Sequence, residues 1–531
     1  MGGQDVIGNQ HQDGDWEANN WQPLYIPFTS VPGPTDSVNI ERDEPIKFFE
    51  LFLTDEFVLK LVDQTNLYAD QSIEQQQRLN AQKEHSRSKA WKPVTVQDIR
   101  KFLGLMFLTG IITKPELQQY WSTDELILTP MFSKVMSRNR FEIILSYFHF
   151  NDNSQRPADC TDRLYKVRPI LDHMLTKFRE LYTPGQNISI DEGMLSWRGR
   201  LGFKVYNKEK PIKYGIKSYV LTDSATSYCW QLKTYCGVAA SLEETILTLL
   251  GNLTNKGYHL FMDNLYNSVR LSKRLLELGT HVCGTLRKNR GEPPAVHNAS
   301  TSNMQVGDVI ALHKENVLCV AWRDKRVVKA ITTIGENGMV EVNVKQRGVP
   351  GGRIAKMKPT CITLYNTYMN GVDKLDQCIG YYPFTRKSVK WTKKFFFYIL
   401  QIAMYNAYVL YKCKLQSPQC KSLSDFITSV IRSMIKMEDE EGNIVPVDED
   451  AAVITPRTPT NDPATRLDGI MRNHSLKLIV GNGNKLYHTR VCRVCKKKGL
   501  RSETRYICGS CNIPLHKGAC FTNYHSLRKY Y

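Results

Sequence analysis

Two Cys-x-x-Cys pairs near the C-terminal end, Cys492/Cys495 and Cys508/Cys511, stand twelve residues apart and are followed by His516, Cys520 and His525. Thiolates and imidazoles at this spacing suit tetrahedral Zn²⁺. Seven donors exceed the four that one ion takes. His488, four residues before Cys492, would be an eighth and would allow two ions. Residues 486–531 are too few to bury a stable core unaided, so a bound metal must supply folding energy. The other nine cysteines are scattered without a pairing pattern, which reads as a reduced, intracellular, metal-binding chain rather than a disulfide framework.

From His488 onward the module holds ten Lys/Arg against one Glu, close to half of the whole chain's surplus of 19 positive charges. Such a surplus fits a phosphate-rich partner, although solubility or an acidic lipid surface would also account for it. The segment "RVCRVCKKKGLR" reads as a nuclear-import signal, so the expected location is the nucleus. No membrane is expected: "WTKKFFFYILQIAMYNAYVLYK" carries lysines and reads as a buried core helix. The opening "MGGQDV" lacks the Ser/Thr of a myristoylation signal.

Texture divides the rest of the 531 residues. Residues 1–44 are rich in Gly, Gln, Asn and Asp and are expected to be a disordered tail. Apolar residues at three- and four-residue spacing make 45–183 a helical region, and "TVQDIRKFLGLMFLTGII" opens on a Thr N-cap. From 184 to 290 the runs "NISIDEGML", "GIKSYVLTD", "YCWQLKTYC", "YHLFMDN" and "HVCGTLR" read as strands, with Ser241 capping a helix between them. Strands followed by alternating strand and helix predict an α/β sheet. Residues 291–360 are expected to be a small β-rich insertion, 361–384 to return to the sheet domain, and 385–437 to be helical again. An acidic, then Pro/Thr-rich linker is expected over 438–485. The overall expectation is a multidomain α+β protein.

Asp191 ends the apolar run Ile188–Ile190 and Asp263 ends Leu260–Met262, so each sits where an open α/β sheet presents side chains to its ligand crevice. Asp373 and Asp376, in "NGVDKLDQ", are three apart and would share one helix face. By residue type alone, the first two read equally well as turn formers and the second pair as a solvated face. Converging, the carboxylates would repel unless hard divalent cations neutralised them, and two such ions could drive phosphodiester chemistry. Basic and aromatic residues flank these blocks, and Lys210, Lys213, Arg386, Lys387, Lys390 and Lys394 are the candidate DNA contacts.

The blocks "ISIDEGMLSWRGR", "KPIKYGIKSYVLTDS", "MDNLYNS" and "NGVDKLDQ", in this order, resemble the signature of piggyBac-type transposases. Upstream, "TNLYA", "FLGLMFLTGI", "YWSTD" and "DRLYKVRPILD" are similar to that family's helical region. The resemblance implies an RNase H-like catalytic core with a D,D,D triad falling on Asp191, Asp263 and Asp373, and Asp376 as a supporting acid. It implies two Mg²⁺ or Mn²⁺ per active site and an interleaved one- or two-zinc finger that binds the transposon end. The helical regions would serve dimerisation and DNA binding. Cut-and-paste transposition is implied: metal-dependent strand cleavage, hairpin formation and resolution, and transfer into TTAA targets. The partners would be double-stranded DNA (terminal repeats and target) and a second copy of the chain. Two alternatives stand beside this: a domesticated relative that binds DNA without catalysis, and an adaptor built on the zinc module.

Overall fold

The computed structural model describes residues 15–19, 21–40, 44–79, 87–208, 210, 212–237, 240–345, 348, 352–384, 390–415, 420–435, 461–467, 474–479 and 489–531. The chain divides into two compact units. The first holds residues 1–82, 92–113 and 147–434, the second 83–91, 114–146 and 435–531. No helix of the described residues is long and apolar enough to cross a membrane.

In the first unit, Thr54 Oγ1 accepts from Phe57 N at 3.2 Å and starts helix α1, Asp55–Arg78. The expected Thr cap is Thr95, which forms a reciprocal capping box with Asp98 at the head of α2, Val96–Ile111. The amphipathic α3, Arg168–Glu180, buries Ile170, Leu171, Met174 and Phe178 on one face.

The sheet that follows is built around β1, Asn187–Ser196. Strand β2, Tyr214–Asp223, pairs antiparallel with it, and β3, Cys229–Thr234, pairs antiparallel with β2. After α4, Leu242–Leu250, strand β4, His259–Met262, returns parallel to β1. After α5, Val269–Glu277, strand β5, His281–Thr285, lies parallel to β4. The order β3-β2-β1-β4-β5, with the first three strands antiparallel and the last two parallel to β1, is that of an RNase H-like core. The Ser241 cap on α4 is present, its side chain accepting from Glu244 N at 3.0 Å. Helices α6, Thr360–Tyr368, and α7, Gly371–Gly380, then cross the sheet. The long α8, Trp391–Leu415, closes the unit and is buried on nearly every side. Its Asn406 is fully buried and substitutes for a neighbouring strand: it donates to the Cys229 carbonyl at 2.8 Å and accepts from Cys229 N at 2.9 Å.

Three expectations need correction. Strands β6, Val309–Lys314, β7, Val317–Arg323, and β8, Val327–Thr332, form the expected β-rich insertion but continue the sheet, since β8 pairs antiparallel with β5. With the short strand Val205–Tyr206 on β2, the sheet has nine strands among the described residues. Of the described strands in 291–360, β9, Met339–Lys345, and β10, Arg353–Pro359, pair apart from the sheet. Turn-rich composition marked the breaks, but strand partners are non-local and leave no mark in composition.

The tail is the second correction. Trp21 is 4% exposed within the core that holds Phe261, Cys283 and Leu318, and Phe28 packs edge-on to Tyr258 at 5.0 Å. Thr29 N donates to the Lys256 carbonyl, and Gly33–Pro34 pairs with Tyr182–Thr183. Gly257, at φ +73°, lets this strap pass: a Cβ there would lie 2.3 Å from the Pro27 carbonyl oxygen. The strap uses isolated aromatic anchors on a ready-made sheet, so its average composition reads as disorder.

The third concerns the terminal module of the second unit, which begins before residue 486. Leu476–Leu478 pairs with Tyr506–Cys508. Further upstream, Arg466 donates to the carbonyls of Tyr524, Leu527 and Arg528, and Asp462 accepts from Tyr524 Oη at 3.1 Å. The stretches 438–460, 468–473 and 480–485 of the expected linker lie outside the described residues.

Candidate active site and metal centres

Parallel pairing brings the first two aspartates to one place. Ile190 on β1 is in register with Met262, the last residue of β4, so Asp263 leaves β4 beside Asp191. Asp191 itself does not end its strand as expected: β1 runs on to Ser196, and Asp191 pairs with Val220 on β2. Asp263 is fixed by a local turn in which its Oδ1 accepts from Leu265 N at 2.7 Å, leaving Oδ2 open. The loop behind it is clamped by Asn267, whose amide donates to the carbonyls of Met262, Asp263 and Thr285 at 2.9–3.0 Å. Sequence reasoning missed Asn267, although it lies in the same "MDNLYNS" block.

Helix α7 supplies the other two. Ser189, Asp191 and Gly193 alternate onto one face of β1, and α7 packs over that face. A Cβ on Gly371 would lie 2.3 Å from Thr222 Oγ1 and 2.5 Å from Ser189 Oγ, and Asp376 Oδ1 comes 3.9 Å from the Cβ position of Gly193. Asp373 lies on the turn of α7 between these contacts and is exposed, whereas Asp376 is half-buried.

The electrostatics reflect this convergence. Burial pushes the Asp191 carboxyl up to about 7, against the Lys210 ammonium, with Glu192 and Asp373 adding to the rise. Asp376 is likewise pushed up to about 7 by burial, with Asp373 and Asp191 adding. The Tyr266 and Tyr365 hydroxyls are raised chiefly by burial and both feel Asp191 and Asp263. A buried acid need not be a ligand: Asp223, at the end of β2, accepts from Gly185, Ala225 and Thr226 N–H groups and acts as a turn former.

Three carboxylates with open oxygens are a hard-oxygen donor set suited to Mg²⁺ or Mn²⁺. Among the described residues, the sets whose donor atoms all lie within 4.8 Å of one another are two Cys/His groups, and the aspartates are spread more widely. Two ions about 3.5–4 Å apart need one carboxylate between them and two outside, so the outer pair need not touch.

The candidate DNA contacts differ in their surroundings. Lys210 turns toward the aspartates, its Nζ 3.7 Å from Asp191 Oδ2 and donating to the Glu192 carbonyl at 3.3 Å. Lys213 is exposed. Lys390 donates to Tyr68 Oη at 3.1 Å and lies over its ring, and burial lowers the Lys394 ammonium. Arg386 and Lys387 lie outside the described residues.

In the terminal module the Cys/His donors fall into two sets of four: Cys492, Cys495, His516 and Cys520, and His474, Cys508, Cys511 and His525. Around tetrahedral zinc, with Zn–S about 2.3 Å and Zn–N about 2.0–2.1 Å, neighbouring donors sit about 3.5–3.8 Å apart. His474 Nδ1 is 3.6 and 3.4 Å from Cys508 and Cys511 Sγ, and Cys511 Sγ is 3.5 Å from His525 Nε2. In the other set, Cys495 Sγ is 3.5 Å from His516 Nδ1 and 3.9 Å from Cys520 Sγ. The second ring nitrogens of His516 and His525 face the Glu503 and Phe521 carbonyls, an arrangement that suits the tautomers with Nδ1 and Nε2, respectively, turned to metal. The sets interleave along the chain. His488 lies outside the described residues, and His474 completes the donor set that it was expected to complete.

A family model described as Transposase IS4 matches residues 44–408, and a DDE_Tnp_1-like zinc finger matches residues 473–526. PiggyBac transposable element-derived protein 2 of Homo sapiens is 26% identical over 422 residues, covering 77% of this chain and 68% of that protein. PiggyBac transposable element-derived protein 3 of Homo sapiens is 26% identical over 526 residues, covering 95% and 81%. The cryo-EM structure of a piggyBac transposase synaptic complex with hairpin DNA shares the fold, with a TM-score of 0.67 and 22% identity over 91% of this chain and 100% of that one. The transposase model spans more than half of the chain and the finger model contains all eight Cys/His donors, so this chain belongs to the piggyBac-type transposase family.

Proposed function

We propose that the protein is a cut-and-paste DNA transposase whose active site is Asp191, Asp263 and Asp373, supported by Asp376. The observation that carries the reading is the register of Ile190 with Met262 beneath α7, which gathers acids from three separate parts of the chain. Two Mg²⁺ or Mn²⁺ ions bound there would supply an activated water or 3′-hydroxyl and a stabilised leaving oxygen. The chain's part is to hold the oxygens still: the Glu192 amide fixes Asp191 Oδ1 at 2.8 Å, the Leu265 amide fixes Asp263 Oδ1, and α7 carries Asp373 over the face of β1.

Hydrolysis at the element end frees a 3′-hydroxyl, which attacks the opposite strand to form a hairpin at a TTAA flank. Hairpin opening and joining of the 3′ ends to a new TTAA site complete the reaction. Family membership and the hairpin DNA of the related solved complex support this order. The zinc finger binds the element ends, a homodimer holds two ends together, and the basic cluster around Lys496–Lys498 directs the chain to the nucleus. The test is Mg²⁺- or Mn²⁺-dependent nicking by purified protein of the inverted repeats that flank its gene. Binding of those ends without cleavage would reduce the protein to a DNA-binding relative.

A further inference from the structure

The Lys210 ammonium sits inside the carboxylate set and not on the surface of its loop. Its Nζ is 3.7 Å from Asp191 Oδ2 and is anchored by the Glu192 carbonyl, with the Lys210 side chain 27% exposed. Asp373 and Asp376 act on the same ammonium from α7. Asp191 Oδ1 accepts from the Glu192 amide at 2.8 Å, and Oδ2 is the oxygen turned toward Lys210. Lysine is a compact point charge on a flexible stem, suited to neutralising such a group and leaving it.

We infer that Lys210 is a built-in counter-cation of the active site that competes with divalent ions for Asp191 Oδ2. The inference rests on the metal-site reading above and assigns Lys210 a positioning role in metal loading rather than a standing DNA contact. A divalent ion held by Oδ2 meets the positive charge of the Lys210 ammonium 3.7 Å from the same oxygen, so ion binding there drives Lys210 away. The competition keeps the clustered acids neutralised while making ion binding weaker than the bare carboxylates would allow. Lys213, exposed three residues on, carries the same charge and is the internal control.

The experiment titrates Mn²⁺ into full-length, zinc-loaded protein and reads free Mn²⁺ by electron paramagnetic resonance, with Asp191→Asn giving the baseline. Lys210→Met and Lys210→Gln are expected to tighten the Asp191-dependent binding about tenfold, while Lys213→Met leaves it unchanged. Lys210→Met should also unfold at a lower temperature without Mn²⁺ and gain more from Mn²⁺ than the wild type. Unchanged or weaker binding in both Lys210 variants overturns the competition, and so does equal tightening in Lys213→Met. Wild-type protein with no Asp191-dependent Mn²⁺ binding would sink the metal-site reading itself and the competition with it.

Discussion

Ile190 and Met262 face each other across a parallel strand pair, and each is followed directly by an aspartate. Asp191→Asn is therefore expected to bring Mn²⁺-dependent cleavage down to background while end binding, which comes mainly from phosphate contacts elsewhere, stays close to wild type. Burial pushes the Asp191 carboxyl up to about 7. A carboxylate raised in the folded state costs stability once pH climbs past its unfolded value, so uncharging it leaves the melting temperature at pH 8 unchanged or higher. Cleavage assays, end-DNA affinity and thermal unfolding check the three parts, and retained cleavage would remove Asp191 from the chemistry.

Gly371 is the packing counterpart of that pair. An added Cβ would lie 2.3 Å from Thr222 Oγ1 and 2.5 Å from Ser189 Oγ, both on buried strand positions that cannot yield freely. Gly371→Ala is expected to cost about 1–3 kcal/mol of stability and to lift α7 from β1. Asp373 and Asp376 move with the helix, so Mn²⁺ affinity falls together with the urea midpoint. A variant with wild-type stability and ion binding would show that α7 is not seated by this contact.

Two half-buried histidines set the acid limb of stability. Burial, reinforced by Lys390, Lys393 and Lys166, holds His149 down to about 4, and burial with His281 nearby does the same to His259. A histidine depressed in the fold contributes stability that is present above its unfolded value of about 6.5 and is lost as pH falls toward 4. These two side chains should together take up about two protons on unfolding in this window, against the release expected from the raised Asp191 and Asp376 carboxyls. His149→Gln with His259→Gln should remove that uptake and shift the slope of the urea midpoint against pH between about 6.5 and 4 accordingly, and an unchanged slope would show that these histidines do not contribute.

Much of the core was legible because it is local. Thr95 and Ser241 announce themselves through caps, and Asp263 through the end of an apolar run, whereas the strand of Asp191 runs five residues past it. What was missed depends on partners distant in the chain. The strands from Val309 to Thr332 look like any hairpins until β8 meets β5, and Trp21 looks like a lone aromatic in a polar tail until the sheet exists to receive it. Lys210 reads as one more cation, because spacing does not reveal that its loop turns it toward Asp191.

His474 is the same lesson at a metal site, and it gives the most direct test of the terminal module. Knuckle spacing pointed to His488 because it stands close to Cys492, yet strand Leu476–Leu478 pairs with Tyr506–Cys508 and carries His474 to the second knuckle. The donor set His474, Cys508, Cys511 and His525 needs no further ligand. The donors of the two sets alternate along the chain, and the small core of Val494, Ile513, Leu515 and Tyr524 packs with the ligand cysteines. Losing one ion should therefore loosen the whole module rather than one half of it. His488→Ala is expected to keep two zinc ions per chain by elemental analysis and wild-type affinity for element ends. His474→Ala should bind at most one and lose end affinity, with its salt dependence flattened as the ordered basic surface is lost. Asp191 belongs to the other compact unit, so Mn²⁺ binding there should survive in both variants. If His488→Ala lost a zinc ion and His474→Ala did not, the assignment of the eighth ligand would be reversed.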